Sequence, residues 1–372
     1  MKSSDSTCKT LASLCAPFFF RSISLKEGDS KRQRRLAKRA QGFGEFVHEL
    51  RFTLKSGSTD GKNSQVYQML AKMPNIRAIT VIHKREDIAS HTDLLTTITQ
   101  LLQFESLTLQ EKNYHPAFNH LPLQHVEVAR TFFHQFLHNV VKLHGHRLKA
   151  LHLFTLLPLS EDLYIKIRDF TPNLQQITFA GSIGVELLRQ FSEPIVWASG
   201  ETGSLESLTL HTCTGVHASN FTQNVIRGVY GNHLKSICLI ACGYSITDIP
   251  SAITASTPNQ VTVDRLHLDH MAGWELEALS LISVQELSLT TLFPSDLLRL
   301  PALLAMGFVG MRKMRLIPRL AALEAWENVS KEAGGGYKEL QARCLQRGVQ
   351  LSFDAVAWPN ACTDDCIGYM HI

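Results

Sequence analysis

No stretch of about 18 or more consecutive apolar residues occurs in this sequence, so no segment reads as a membrane-crossing helix. Charge of one sign is scarce as well. The 37 basic and 33 acidic residues leave a formal net charge of +4, too small to argue for nucleic acid as a partner. The motifs of common catalytic chemistry are missing. No GxGxxG opens a helix, the glycine run 334–336 lacks the Lys and Ser/Thr of a phosphate loop, and no Ser-His-Asp set can be assembled from sequence order. The chain is therefore not expected to be an enzyme, and no catalytic residue and no cofactor is assigned.

The eight cysteines do not form a disulfide pattern. Cys213 and Cys242 each follow the last apolar position of a repeated hexapeptide by three residues, where a Cys or Asn closes the turn after a strand. Cys362 and Cys366 have no second pair nearby to complete a tetrahedral zinc site. His134 and His138 sit four apart, but the intervening FHQFLHN lacks the Glu of a metalloprotease helix, so both are read as helix-surface residues and no metal site is expected. Unpaired cysteines imply a reducing compartment, cytoplasmic and/or nuclear.

What the chain does have is a recurring Leu-x-x-Leu-x-Leu. It is clear in FESLTL from Phe104, LKALHL from Leu148, LESLTL from Leu205 and VQELSL from Val284. Degenerate copies start at Phe20, Val47, Ile76, Leu123, Leu174, Leu234, Val263 and Leu303, and most starts lie about 25 to 31 residues apart, near the period of leucine-rich repeats. In a strand, alternate residues share a face, so the fourth and sixth positions point inward together and the first adds a third. One such strand cannot hide its apolar set, whereas stacked strands build a continuous ladder. Between the copies, segments such as 65–73, 92–103, 129–145, 162–170 and 219–231 space their apolar residues three and four apart, as amphipathic helices do. The expected fold is an α/β leucine-rich-repeat solenoid, a horseshoe with parallel strands on the concave face and helices on the convex face.

The N-terminus has two readings. Residues 10–20 could pass for the apolar core of a secretory signal, but Asp5, Pro17 and a following basic linker argue against it. The second reading rests on TCKTLASLCAPFFFRSISL (7–25), which resembles the closing helix of an F-box and its lead into a first repeat. Cys8 and Lys9 match the pair opening that helix, Leu11 and Ala12 its inward pair, and 17–25 the first strand. The chain thus resembles fungal F-box and leucine-rich-repeat proteins, with MPNIRAI and TPNLQQI typical of that group. The family's Leu-Pro opening and first two helices, which carry most of the contact with the SCF adaptor subunit, do not precede Met1, so the F-box reads as incomplete and the adaptor contact is weakened accordingly. The resemblance implies the substrate-recognition part of an F-box type ubiquitin-ligase receptor. A stand-alone leucine-rich-repeat scaffold with no ubiquitin-ligase link is the alternative.

Either way the expected partner is a protein client on the concave face. The outward strand positions singled out for it are Arg51, His125, Glu127, His152, Phe154, His211, Arg265, His267, Asp269 and Glu286. They form no long stripe of one sign, which suits a protein better than nucleic acid or membrane. Phe154 beside His152, and the trio Arg265, His267 and Asp269, are the expected anchors, because exposed aromatics and arginines tend to carry binding energy.

The basic run KRQRRLAKR (31–39) reads as a solvated linker, a nuclear import signal, or a patch for nucleic acid or an acidic partner. The expected organisation is an F-box-like helix in 1–19, the solenoid in 20–318, a helical cap and last strand in 319–353 with the glycine run separating two helices, and a tail in 354–372.

Overall fold

The computed structural model describes residues 15, 18, 20–26, 35, 42–54, 69–83, 104–111, 123–154, 166, 167, 169–180, 205–211, 235–240, 262–269, 283–290, 300–302, 304, 305, 308, 310–317 and 334–353. Nearly all of the closing F-box-like helix and of the basic run, Cys213 and Cys242, and the expected helices at 92–103, 219–231 and 319–333 fall outside them. The chain divides into two compact units, Met1–Leu174 and Gln175–Ile372.

Among the described residues the first unit holds five strands: β1 (Ser22–Lys26), β2 (Glu49–Thr53), β3 (Ala78–His83), β4 (Ser106–Glu111) and β5 (Ala150–Phe154). Each pairs with its successor in parallel. Leu50, Ile79, Leu107 and Leu151 are partners in one row, and Phe52, Val81, Leu109 and Leu153 in the next. All eight are buried, the ladder that period-two alternation dictates. Register is set at the strand entrances, where one carbonyl accepts two amides from the following strand. His48 N–H and Glu49 N–H both donate to Arg21 O, and the same fork recurs at His48 O, Arg77 O and Glu105 O.

Close packing behind the ladder depends on two glycines. The 3-10 turns Gly44–Phe46 and Gly145–Arg147 lead into β2 and β5. At Gly44 an added Cβ would lie 2.0 Å from Lys72 O, and at Gly145 2.1 Å from Phe170 O, so the chain ends of the next repeat sit where any side chain would be. The Pro-Asn turns lock the same contacts from the other side. Asn75 Nδ2 donates to Glu45 O and Asn173 Nδ2 to His146 O, each at 2.7 Å.

Helix α1 (Leu123–His144) overturns one expected repeat. The copy starting at Leu123 is the first part of this 22-residue helix, not a strand. The helical period wins because Phe133, Phe136, Leu137, Val140 and Val141 continue it as one buried stripe, and Pro122 directly before it suits a helix start. Lys142 in the last turn favours the C-terminal dipole.

The second unit holds β6 (Gln176–Ala180), β7 (Ser207–His211), β8 (Ser236–Ile240), β9 (Thr262–Asp269), β10 (Ser283–Thr290), β11 (Lys313–Ile317) and β12 (Gln350–Phe353), again parallel from neighbour to neighbour. Ile177, Leu208, Ile237, Leu266, Leu287 and Met314 form its buried row. Here the copy at Leu303 is the second correction. Residues 300–302, 304 and 305 are helical, and the repeat copy is MRKMRL from Met311, which carries β11, with Met311, Met314 and Leu316 as the apolar triplet. Both discarded copies had created the only spacings of about 19 residues, too short for a strand, a return segment and two turns.

The glycine run 334–336 is a third correction: it forms the first turn of helix α2 (Gly334–Gln346). That helix buries Leu340 and Cys344 and ends on Gly348, whose φ of +68° is left-handed. Val349 N–H donates to Cys344 O and Gly348 N–H to Leu345 O, the two bonds of a Schellman ending. Just before it, Arg347 donates to Leu304 O and, at 3.4 Å, to Phe308 O, satisfying carbonyls at the end of the preceding helical turn. The last strand then continues the ladder through β11.

Candidate functional site

The strand face opposite the buried ladder is the surface on which a partner can read side chains, because alternation leaves every second residue there. In the first unit, register aligns Ser24, Arg51, Thr80, Thr108 and His152 in one row and brings Gln110 beside Phe154 in the next. Arg51, Thr80, Thr108, His152 and Phe154 are all half-buried. They form a shallow, mostly neutral surface with one cation and one aromatic ring. Burial alone pushes the His152 imidazole down to about 4, so the ring is neutral at physiological pH and acts as a hydrogen-bonding group rather than a charge.

In the second unit the face is more highly charged. Glu286 on β10 lies between Arg265 on β9 and Lys313 on β11. Its carboxylate is 3.7 Å from Lys313 Nζ and 3.5 Å from Arg315 Nη1. Two cations of β11 thus share one carboxylate, with Arg265 as its register neighbour on β9. Lys313 and Arg315 were hidden from the sequence reading, because the strand that carries them was placed at Leu303 instead. The triplet Met311, Met314 and Leu316 is the signal that marks it.

Among the other expected contact residues, two are misplaced and one is out of reach. His125 and Glu127 belong to α1, not to a strand, so they are not part of the strand face. His267 is on the face by register but only 8% exposed, flanked by Cys238 and Ser288 on strands about 4.8 Å to either side. Thr178 and Cys238 in the same row are buried too. Arg265 is exposed and Glu286 half-buried. His211 and Asp269 lie on β7 and β9, at the strand ends.

The described residues offer no metal centre, since they contain no group of three or more His, Cys, Asp or Glu arranged to hold an ion. Burial and the nearby Lys166 and Lys142 depress the basicity of His138 on α1. No helix among the described residues is long and apolar enough to cross a membrane. Of the expected F-box segment, Cys15 is a free thiol, Phe18 is exposed, and Phe20 stacks on Phe43 with ring centroids 4.7 Å apart.

No protein-family model matches the sequence, and no curated protein matches it. Among solved structures the chain is similar to the leucine-rich-repeat-containing protein LegL7 from Legionella pneumophila, at 12% identity and a TM-score of 0.41, covering 80% of this chain and 91% of that one. It is also similar, at 10% identity and a TM-score of 0.32, to a chain of the Rad7 and Elc1 complex in yeast, covering 84% and 90%. Likeness at these scores carries no argument beyond the strand pattern itself, and that pattern of in-register parallel strands, each bearing the Leu-x-x-Leu-x-Leu set, is an α/β leucine-rich-repeat solenoid.

Proposed function

We propose that this chain is a protein-binding module whose client lies on the open face of the strands, and that it serves as the substrate-recognition part of an F-box type ubiquitin-ligase receptor. The observation that carries the first half is the aligned row of Arg51, Thr80, Thr108 and His152, with Phe154 beside it: half-exposed, chemically mixed and held in place by a rigid ladder. A surface of this kind suits a folded or extended protein, because it offers hydrogen bonds, one cation and one aromatic anchor rather than a continuous basic track. The second half rests on the F-box-like run 7–25 in the sequence.

Two measurements separate the halves. Recovering the tagged chain from its own cells should bring down an SCF adaptor subunit, and its clean absence refutes the ligase reading while leaving a stand-alone scaffold. Replacing Arg51→Glu and Phe154→Ser together should remove at least one co-purifying protein, with far-UV circular dichroism unchanged. If every co-purifying protein survives the double substitution, the open face of the first unit is not the client surface.

A further inference from the structure

The strand entrances of the first unit carry an excess of positive charge that those of the second do not. In the second unit the charged residues at the register position just before the row Ser207, Ser236, Arg265, Glu286 and Lys313 are Glu206, Lys235, Asp264 (inside β9) and Arg312, two acids and two bases. In the first unit they are Arg21, Arg77, Glu105 and Lys149, three bases and one acid, with Arg147 on the adjoining 3-10 turn.

All of these but Arg21 line a cleft of ≈ 370 Å³ whose walls include Arg77, Glu105, His146, Arg147, Lys149 and Asn173. Much of the polar lining is already committed. Lys149 Nζ donates to Glu105 Oε2 at 2.8 Å, and the Asn173 amide is held by His146 O. Arg77 and Arg147 are exposed, and neither guanidinium has an ion-pair partner among the described residues. Both nonetheless act on the cleft. Glu105 has its carboxyl held below the usual carboxylate range, first by the Lys149 hydrogen bond and then by the fields of Lys149, Arg77 and Arg147.

With Glu105 and Lys149 neutralising each other, the uncommitted charge is that of two guanidiniums. A single carboxylate would satisfy one of them. A phosphate monoester carries about −1.5 to −2 charge at neutral pH and presents three acceptor oxygens, matching two planar forks of donors. We propose that the cleft between the Pro-Asn turn at 74–75 and the turn at 145–147 binds a phosphate monoester borne by a protein segment, with Arg77 and Arg147 as its ligands. The site lies at the strand entrances, apart from the open face, and does not depend on the function proposed above.

Fluorescence polarisation on the full chain tests it, using a labelled phosphoserine peptide of otherwise neutral composition, its unphosphorylated form, its glutamate form, and inorganic phosphate as competitor. The phosphopeptide should bind at least about tenfold more tightly than the unphosphorylated peptide, with the glutamate form weaker than the phosphopeptide. Arg77→Gln with Arg147→Gln should erase that preference, while Arg312→Gln with Lys338→Gln, an equal loss of charge elsewhere, should preserve it. Absence of the preference, or its survival in the Arg77/Arg147 variant, overturns the site. Binding of inorganic phosphate at these arginines without binding of the phosphopeptide overturns the protein source and leaves a small phosphate molecule.

Discussion

Replacing Gly145 with Ala should destabilise the first unit far more than an ordinary surface glycine change. The new Cβ would sit 2.1 Å from Phe170 O, 2.8 Å from Phe170 C and 3.3 Å from Phe170 Cβ. The two nearest atoms are backbone, so no rotamer change relieves the clash, and the turn and the Phe170 carbonyl must separate by about 1 Å. Overpacking of that kind costs about 1–3 kcal/mol. The shift also stretches the 2.7 Å bond from Asn173 Nδ2 to His146 O, one residue from the substitution, worth about 1 kcal/mol. The expected total is about 2–4 kcal/mol, read as a lowered urea midpoint by circular dichroism. Gly44→Ala, facing Lys72 O at 2.0 Å, should behave alike, whereas Gly42→Ala, with nothing within 4 Å, should stay within about 0.5 kcal/mol. Asn173→Ala combined with Gly145→Ala should cost less than the sum, because both act on one contact. A Gly145→Ala protein as stable as Gly42→Ala would refute the close approach of these turns.

Gly348→Ala isolates a different term: with φ at +68° and open space around it, the loss should be only the left-handed backbone cost of about 1–2 kcal/mol, and Gly348→Asn should recover part of it in the same denaturation assay. His152 should add an acid-sensitive slope. Its folded value is about 4 against an ordinary 6.5, so between those values the unfolded chain binds a proton that the folded chain refuses. Stability is therefore complete above about pH 6.5, falls as the pH drops through the window, and levels off below about 4, by at most roughly 3 kcal/mol. His152→Gln should flatten that part of the stability-versus-pH curve, and an unchanged slope would show that the ring is not sheltered.

Ten of the twelve expected strand copies are strands, and the two exceptions show where local reading stops. The hexapeptide at Leu123 satisfies the strand spacing, yet its apolar residues also join the three-and-four spacing that runs on to Val141, and the longer pattern prevails. The copy at Leu303 competes with Met311, Met314 and Leu316 eight residues on, and a strand there restores a register step of 27 residues between Glu286 and Lys313. Methionine at two of three ladder positions is what disguised it. Candidate contacts fared according to the same logic. Arg51, His152 and Phe154 stand on the open face because their strands were correctly placed, whereas His125 and Glu127 left it with their segment.

The side of a strand on which each residue lies follows from sequence, because alternation is a property of one extended segment and needs no partner. So does the end of α2 at Gly348, because glycine takes the left-handed backbone there at the lowest cost. Which segments lie beside which is a different matter. Glu105 and Lys149 are separated by 44 residues and meet at 2.8 Å only because α1 fits between two adjacent strands. Arg77 and Arg147 share their cleft for the same reason. The length and path of each return segment decide such meetings, and they are chosen by packing against the ladder, which no hexapeptide encodes.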